Sequence, residues 1–345
     1  MPNVNPSRVA IATLGSHSAL QILKGAKDEG FRTALVCLRR RAGLYRRFGR
    51  LVDEMLIVES FSEVALPEVQ ERLLDLNAIL VPHGSLVEYV DLETLERGFR
   101  VPIFGNKYIL RWEASRELKE RLLREAGVKV PRVYGSADEV EGTVIVKLPG
   151  AKGGRGYFLA SRPEEVGAKL KAAGLSEEDV LIQEYVVGAT AYTHFFYSLL
   201  TGELELMGID RRYETSADGL GRLPARIQLE AGPEPSYLVV GNVPLVLRES
   251  LLEEMFEIGE RLVEASKRLV PPGLIGPFCI EGAYDSNGDF YVFEFSARIV
   301  AGTNLYVHGS PYTWLVYDEP MSMGRRIARE IKRAIEERRL EEVLT

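Results

Sequence analysis

The first hundred residues alternate between short apolar runs and amphipathic stretches. The apolar runs predict buried strands at residues 9–13, 33–38, 55–58 and 78–81. The spacing of apolar residues predicts helices over 19–29, where Gly30 is the stop signal, and over 68–76. Strands that alternate with helices in this way pair in parallel and carry the helices on the faces of the sheet. The pattern therefore predicts a parallel sheet with helices on its faces in the N-terminal part of the chain.

The pattern is different in the rest of the chain. A helix is predicted over 115–126, and later strands are predicted at 128–133, 143–147, 157–160, 180–187 and 192–199. From there to Tyr291 the pattern is mostly antiparallel and is interrupted by a helix over 251–269. An amphipathic helix is predicted over 320–344. A chain of 345 residues is too long for one ordinary core, so we expect two or three packed units.

The composition is globular, with 46% hydrophobic and 27% charged residues. The formal net charge of −7 argues against a nucleic acid partner, because proteins that bind nucleic acid carry a basic balance. No segment approaches the roughly 18 to 20 apolar residues of a membrane span, and residues 1–8 lack a signal pattern. We therefore predict a cytoplasmic protein with no membrane partner. Cys37 and Cys279 lie in apolar runs and are predicted to be buried thiols.

One local cluster of arginines departs from the negative net charge of the chain. It consists of Arg39, Arg40, Arg41, Arg46, Arg47 and Arg50. Two interpretations stay open: a solvated surface, or a contact with a phosphorylated substrate or a partner subunit.

Two loops at strand ends carry candidate binding residues. Gly15-Ser16-His17-Ser18 follows the first strand, and Pro82-His83-Gly84-Ser85 follows a later strand of the same predicted sheet. Open α/β sheets bind ligands at the carboxyl ends of their strands, where helix N-termini favour phosphate groups. Ser16 or Ser18 can also cap the helix that follows. The first loop is not G-x-G-x-x-G, so a dinucleotide fold is poorly supported.

A lysine followed by a glycine-rich turn marks a second candidate site. The strand Val144–Lys147 leads into Gly150-Ala151-Lys152-Gly153-Gly154-Arg155-Gly156. Glycine backbones can fold over phosphates while Lys147 supplies positive charge. The motif lacks the Gly-Lys-Ser/Thr of a P-loop. Downstream, the short strand around Glu184 has polar and backbone groups that can bind an adenine.

Two glutamates form a candidate metal site. Glu281 and Glu294 lie in apolar, strand-like runs, and buried carboxylates need a partner. On adjacent strands they could share Mg²⁺, a hard cation that prefers oxygen ligands and nucleotide phosphates. The alternative is a pair of internal salt bridges, for example to Arg298.

In this order, the strand lysine with its glycine loop, the hinge glutamate and the two acids resemble the ATP-grasp superfamily. The resemblance implies an α/β and α+β protein with an ATP-grasp fold behind a Rossmann-like pre-ATP-grasp domain. We expect a substrate-binding domain at 1–108, a lid or linker subdomain at 109–190 and a catalytic subdomain at 191–345. Arg298 matches the final arginine of the superfamily pattern, whereas Ser296 stands where many relatives have asparagine. Either Arg116 or Lys119 matches a first phosphate-binding lysine.

Longer motifs narrow the resemblance. They run from strand one to the last helix and look like the archaeal PurP family of formate-dependent 5-formaminoimidazole-4-carboxamide ribonucleotide (FAICAR) synthetases. The motifs include Ala12–Ser18, Val81–Ser85, Phe104–Lys107, Leu110–Glu113, Asp210–Glu214, Gly241–Pro244, Leu247–Ser250 and Ala301–Asn304.

The family resemblance implies a reaction and a set of site residues. ATP would activate formate as formyl phosphate, which the 5-amino group of 5-aminoimidazole-4-carboxamide ribonucleotide (AICAR) attacks, giving FAICAR, ADP and phosphate. His17, Ser85 and Asn242 match the family positions that bind AICAR. Glu281 and Glu294 match the family positions that bind Mg²⁺ (or Mn²⁺). Lys147 and Arg298 would stabilise phosphate charge. ATP would be held by Lys147, Gly153, Gly154, Gly156, Glu184, Val187 and Glu214.

Several alternatives remain open at this stage. His17 could orient the ribonucleotide or accept a proton, and no residue is assigned as a dedicated general base. A related ligase with a different acid or amine would share the same motifs, and a nucleotide-sensing protein is a third class. The family implies a homo-oligomer, although docking of the last helix within the chain explains its apolar face equally well.

Overall fold

The computed structural model describes residues 4–152, 155–231 and 236–345. Within these residues the chain forms three sheets that follow one another along the sequence. In the same ranges, no helix is long and apolar enough to cross a membrane. Cys37 and Cys279 are buried free thiols, as the sequence predicted.

The first sheet is parallel, with strand order β3-β2-β1-β4. Its strands are fully or largely buried apolar runs, because helices cover both faces of such a sheet. This confirms the predicted parallel sheet. The elements of this unit are β1 (Ala10–Leu14), α1 (Ala19–Asp28), β2 (Arg32–Leu38), α2 (Ala42–Arg46), β3 (Glu54–Val58), α3 (Pro67–Asp75), β4 (Ala78–Leu80), α4 (Gly84–Tyr89) and α5 (Leu92–Arg97).

The second sheet is antiparallel and has the strand order β5-β8-β6-β7. Two helices, α6 (Ile109–Ala114) and α7 (Arg116–Glu125), connect it to the first unit. Helix α8 packs Val166 and Leu170 against this sheet. The elements are β5 (Val133–Tyr134), β6 (Val144–Lys152), β7 (Arg155–Ala160), α8 (Pro163–Ala173) and β8 (Leu181–Glu184).

The third sheet is also antiparallel, in the order β11-β10-β9-β12-β13. One face packs on α11, whose apolar stripe enters the largest hydrophobic cluster, and the other face carries the polar groups described below. The elements are β9 (Ala189–Tyr197), β10 (Leu204–Glu214), α9 (Thr215–Leu220), α10 (Ala225–Ala231), β11 (Val239–Pro244), α11 (Leu252–Leu269), β12 (Gly276–Tyr284), β13 (Phe290–Ser296), α12 (Pro311–Tyr317) and α13 (Met323–Glu336).

Two predicted elements differ from the structure in extent, and several helices, among them α8, were not predicted. The final helix is α13 alone, because Arg338 takes a left-handed conformation with φ 59° and the chain then turns. The strand predicted over 128–133 is reduced to β5, since Pro131 offers no backbone N–H for pairing. Helix α8 was not predicted, because only Val166 and Leu170 mark its buried face.

The docking of α13 on α1 depends on two glycines. A Cβ atom on Gly25 would lie 2.1 Å from the backbone nitrogen of Arg325, and one on Gly324 would lie 2.2 Å from the carbonyl oxygen of Gln21. Both distances are far below van der Waals contact, so the helix backbones touch directly. The apolar side of α13 is thus covered within the chain, with Ile327 and Ile331 buried against the first sheet.

We expect Gly25→Ala to lower the free energy of unfolding by about 1–3 kcal/mol, because the added methyl group must push the two helices apart. Chemical denaturation of the purified protein measures this change. Gly167→Ala is the matched control, since Gly167 is also inside a helix but has open space around it; there we expect a gain of up to about 1 kcal/mol. Equal stability of both variants would contradict the close packing.

Candidate active site

A cavity of about 270 Å³ lies between the second and third sheets. Strands from both sheets contribute to it, so it forms only when the two units pack together. Its wall includes four tyrosines, of which Tyr157 and Tyr237 have ring centroids 5.6 Å apart. The lining residues include Ile145, Lys147, Tyr157, Gln183, Glu184, Tyr185, Val186, Arg212, Glu214, Tyr237, Glu281, Phe293 and Glu294.

Lys147 brings a positive charge into this first cavity. Its Nζ atom donates a hydrogen bond to Oε1 of Gln183 at 2.8 Å. Burial lowers the pKa of this ammonium group, and the nearby Glu294 opposes the shift. The hydrogen-bonding partner is a neutral amide, so the charge of Lys147 is available to an anionic ligand.

Only some of the other predicted ATP-binding residues line the first cavity. Glu184 and Glu214 line the first cavity, and burial raises the pKa of Glu214 while Arg212 opposes the shift. Val187 is 72% exposed and lies beyond the lining. Gly156 has φ 80°, a conformation that favours glycine. The predicted residues Gly153 and Gly154 lie outside the described part of the chain.

The two predicted metal-binding acids face each other directly. Glu281 on β12 is the register partner of Glu294 on β13. Arg212 pairs with Glu281 at 2.5 Å, and Lys119 pairs with Glu294. Burial raises the pKa of Glu294, Lys119 opposes the shift and Glu281 adds to it. The sequence alternative of two internal salt bridges is thus what the structure contains, and only the suggested partner is wrong, because Arg298 pairs with Glu113 at 2.7 Å.

These carboxylates fit a divalent cation. Among the described residues no cluster of three or more metal-ligating side chains exists, so the protein would supply two carboxylates and leave the other positions to phosphate and water. That ligand set suits Mg²⁺, which keeps several waters and binds through one or two carboxylates. Of the two candidates for the first phosphate-binding position, Lys119 is the residue that contacts this acid pair.

A second cavity, of about 690 Å³, opens between the first and third sheets. It contains the predicted substrate-binding residues His17 and Asn242 as well as Arg298, and Ser85 lies buried directly after the lining residue Gly84. The two cavities share a common wall, formed by Tyr192, Arg212, Glu281 and Glu294. A ligand in one cavity can therefore meet a ligand in the other at the acid pair.

The two histidines of the strand-end loops stack on each other, with His17 lining the second cavity and His83 buried behind it. The rings of His17 and His83 are 5.5 Å apart and nearly parallel, at 5°. His17 is still reached by solvent, yet desolvation within the cleft, followed by the charge of Arg298, lowers the pKa of its imidazole. Gly84 permits this arrangement, because a Cβ there would lie 3.0 Å from Nε2 of His17.

The serines of the first loop do not cap α1 as predicted. Ser18 forms no side-chain cap bond, and its hydroxyl instead lies 3.1 Å from Nδ1 of His17. The hydroxyl of Ser16 accepts a hydrogen bond from Arg41 at 2.8 Å. Of the arginine cluster, Arg41 therefore reaches the strand-end loop, whereas the other five arginines are exposed.

Sequence reasoning did not identify several lining residues. Asp210 and Arg212 alternate along β10 with the predicted Glu214 and so point to the same face of the sheet. Tyr192 and His194 do the same on β9. This two-residue period of polar groups within otherwise buried strands is the signal that could have found them.

The chain matches two family models over most of its length. Residues 11–134 match a protein of unknown function (DUF1246), and residues 166–345 match a domain of unknown function (DUF1297). The 5-formaminoimidazole-4-carboxamide-1-(beta)-D-ribofuranosyl 5'-monophosphate synthetase of Cenarchaeum symbiosum is 54% identical over 341 residues, covering 97% of this chain and 99% of the relative. The synthetase of the same name from Ignicoccus hospitalis is 54% identical over 338 residues, covering 98% and 96%.

The chain belongs to this synthetase family. The IMP biosynthesis protein PurP from Thermococcus kodakaraensis has the same architecture, with a TM-score of 0.79 at 34% identity over 97% of this chain and 100% of that chain. N5-carboxyaminoimidazole synthetase from Staphylococcus aureus, solved with ADP, has a TM-score of 0.67 at 14% identity over 94% and 77%, which shows the fold alone. The predicted ATP-grasp fold is confirmed, and this FAICAR synthetase family member is a ligase of that superfamily.

Burial of His83 predicts a pH dependence of stability. Its Nε2–H donates to the carbonyl oxygen of Leu14 at 2.9 Å, and Nδ1 accepts from the backbone N–H of Ser85 at 3.2 Å. Burial lowers the pKa of this imidazole from 6.5 to about 4, so the folded state holds it neutral. The stabilisation is present above the unfolded pKa and is lost as the pH falls from about 6.5 to 4, on the order of 3 kcal/mol.

We expect the stability advantage of the wild-type protein over His83→Asn to shrink by that amount between pH 7 and pH 4. Urea denaturation at each pH measures it. The exposed His308→Asn is the control, and its pH profile should follow that of the wild-type protein. A pH profile of His83→Asn that is parallel to wild type would refute the assignment.

Proposed function

We propose that this protein formylates the 5-amino group of AICAR with formate and ATP, releasing FAICAR, ADP and phosphate, in purine (IMP) biosynthesis. The observation that carries the proposal is the meeting of two cavities at the Glu281–Glu294 pair, in a chain 54% identical to synthetases named for this product. A ligase that uses three substrates requires such a junction, because the γ-phosphate must reach an oxygen of formate and the amine must reach its carbon.

The first cavity is the proposed ATP site. Its aromatic and apolar wall suits an adenine, and the lining residues Glu184 and Glu214 would contact the sugar and base. Lys147 would pair with the phosphates, which would extend toward Glu281 and Glu294. Mg²⁺ or Mn²⁺ held by these two acids would neutralise charge on the phosphate oxygens.

The second cavity is the proposed AICAR site. Its cationic groups suit a ribonucleotide monophosphate, with Arg298 in the wall and Arg41 beside the adjoining strand-end loop. His17, Ser85 and Asn242 would position the substrate. Placed there, the amine would point toward the shared wall and hence toward the terminal phosphate of ATP.

The first chemical step would activate formate. A formate oxygen attacks the γ-phosphorus of ATP and the bond to ADP breaks, giving formyl phosphate and ADP. The phosphate is then a good leaving group, whereas formate itself would have to expel oxide. The protein would contribute mainly positioning and charge neutralisation by Lys147 and Arg298, and exclusion of water from the junction during the reaction would limit hydrolysis of the intermediate.

In the second step, the 5-amino nitrogen of AICAR attacks the formyl carbon, and phosphate leaves with the bonding electron pair. The nitrogen loses one proton to form the amide. His17 lies in this cavity and its lowered pKa keeps the imidazole neutral near pH 7. We assign it to orientation of AICAR and name no dedicated general base.

The remaining assignments complete the proposal. The protein is placed in the cytoplasm, where its small-molecule substrates occur, and no nucleic acid partner is proposed because the net charge is −7. A homo-oligomer follows from the family resemblance alone.

The deciding experiment measures ADP release by purified protein with MgATP, adding formate and AICAR singly and then together. We expect ADP and FAICAR only when both are present. Binding of ATP without ADP release under any of these conditions would refute the proposed substrates and leave a ligase for another acid or amine.

We expect Lys147→Met and Glu294→Gln each to lower kcat by about 100-fold or more, because each removes a charge at the phosphates. Steady-state assays with saturating formate and AICAR measure the change. Lys171→Met, on the exposed side of α8, is the control and should retain full turnover. Wild-type rates in Lys147→Met would place the nucleotide elsewhere.

A further inference from the structure

A buried chain of hydrogen bonds lies behind the predicted AICAR ligand Asn242. Nδ2 of Asn242 donates to Oδ2 of Asp210 at 2.7 Å. The other carboxylate oxygen, Oδ1, lies 2.6 Å from Nε2 of His194. Asp210 and His194 are each 1% exposed, yet both line the second cavity. The sequence analysis assigned no role to either residue.

The carboxylate fixes which end of the Asn242 amide faces the ligand. A carboxylate only accepts hydrogen bonds, so the NH₂ group of Asn242 must turn toward Asp210. The amide oxygen Oδ1 then points away from Asp210. Within the described residues no side chain or backbone group donates to it, so it is available as an acceptor. A ligand that satisfies this acceptor must present an N–H or O–H group.

The carboxylate of Asp210 can occupy this position because residue 302 is a glycine. A Cβ atom on Gly302 would lie 2.0 Å from Oδ1 of Asp210 and 2.8 Å from Nε2 of His194. Any larger residue would therefore displace the acid or break its contact with the histidine. Two motifs far apart in the sequence, Asp210–Glu214 and Ala301–Asn304, thus meet at one buried carboxylate.

We infer that Asp210 is a positioning residue for the amine substrate: it holds the Asn242 amide so that its oxygen accepts a hydrogen bond from an exocyclic N–H of AICAR. This inference rests on the proposed function. The contact would recognise the base of AICAR and not its ribose or phosphate. The 5-amino and carboxamide groups are the N–H donors that distinguish this base.

The inference predicts a specific effect of Asp210→Asn. With His194 donating from Nε2, an asparagine at 210 would accept that hydrogen bond with its oxygen and would donate to Asn242 with its NH₂ group. The Asn242 amide must then turn over and present NH₂ to the substrate N–H, donor against donor. We expect KM for AICAR to rise by about 10-fold or more, the effect of leaving a polar contact unsatisfied, while KM for ATP changes less than about 2-fold.

A double-mutant cycle separates this positioning role from a structural one. KM for AICAR and for ATP, and the melting temperature, are measured for wild type, Asp210→Asn, Asn242→Ala and the double variant. Because Asp210 acts through Asn242, the double variant should have the AICAR KM of Asn242→Ala alone. Independent, multiplying effects, or a parallel rise of both KM values, would overturn the inference.

Two further variants complete the test, one as a control and one as an alternative to Asp210→Asn. Glu330→Gln changes another acid that is 1% exposed, paired with Arg326 at 2.8 Å away from both cavities; it should lower the melting temperature and leave both KM values unchanged. Gly302→Ala displaces Asp210 without altering its charge and should raise KM for AICAR selectively, so it carries the test if Asp210→Asn does not fold. Wild-type protein without turnover of AICAR would refute the proposed function, whereas an active wild type with unaltered variants refutes this inference alone.

Discussion

Two carboxylates on neighbouring strands set the main constraint on this structure. Like charges directly opposite each other across an antiparallel pair are unfavourable, and Glu281 and Glu294 occupy such a pair. Each is compensated by a cation from a different element, Arg212 on β10 and Lys119 on α7. The register of the third sheet and the docking of α7 are therefore tied to the same two charges. A ligand that brings phosphates or a metal ion here competes with these two salt bridges, so the four charged groups must change partners when it binds. The electrostatic contacts at the junction between the cavities therefore change with ligand binding.

The sequence predicted the parts of the fold whose signal is local. The parallel strands are short runs of buried apolar residues, and α1 and α11 have continuous apolar stripes, so their existence and type could be derived. The predictions were wrong where the spacing of apolar residues did not follow the ends or the presence of a helix. Leu340, Val343 and Leu344 continue the spacing of α13, but they are buried beside the first sheet after the helix has ended. Helix α8 has only two buried apolar residues, too few to give a period.

The candidate site divides in the same way. Lys147, Glu281 and Glu294 stand out in sequence because charged residues interrupt apolar strands, and the structure brings all three to one cavity. Their counter-charges could not be assigned, since the contact of Arg212 with Glu281 depends on the pairing of strands separated by many residues. The partner of Arg298 was missed for the same reason: Glu113 belongs to a helix that no strand pattern connects to β13. Residue types reveal which chemistry a chain carries, but long-range register decides which groups meet.

The direct contact between α1 and α13 has a consequence for biosynthesis of the chain. The hydrophobic layer under the first sheet contains Val9, Ile11 and Ile22 together with Ile327 and Ile331. While the chain emerges from the ribosome, the N-terminal unit therefore has an open apolar face until more than 300 further residues have been made. Domains that fold in order of synthesis avoid such exposure. This chain therefore completes the packing of its first unit last.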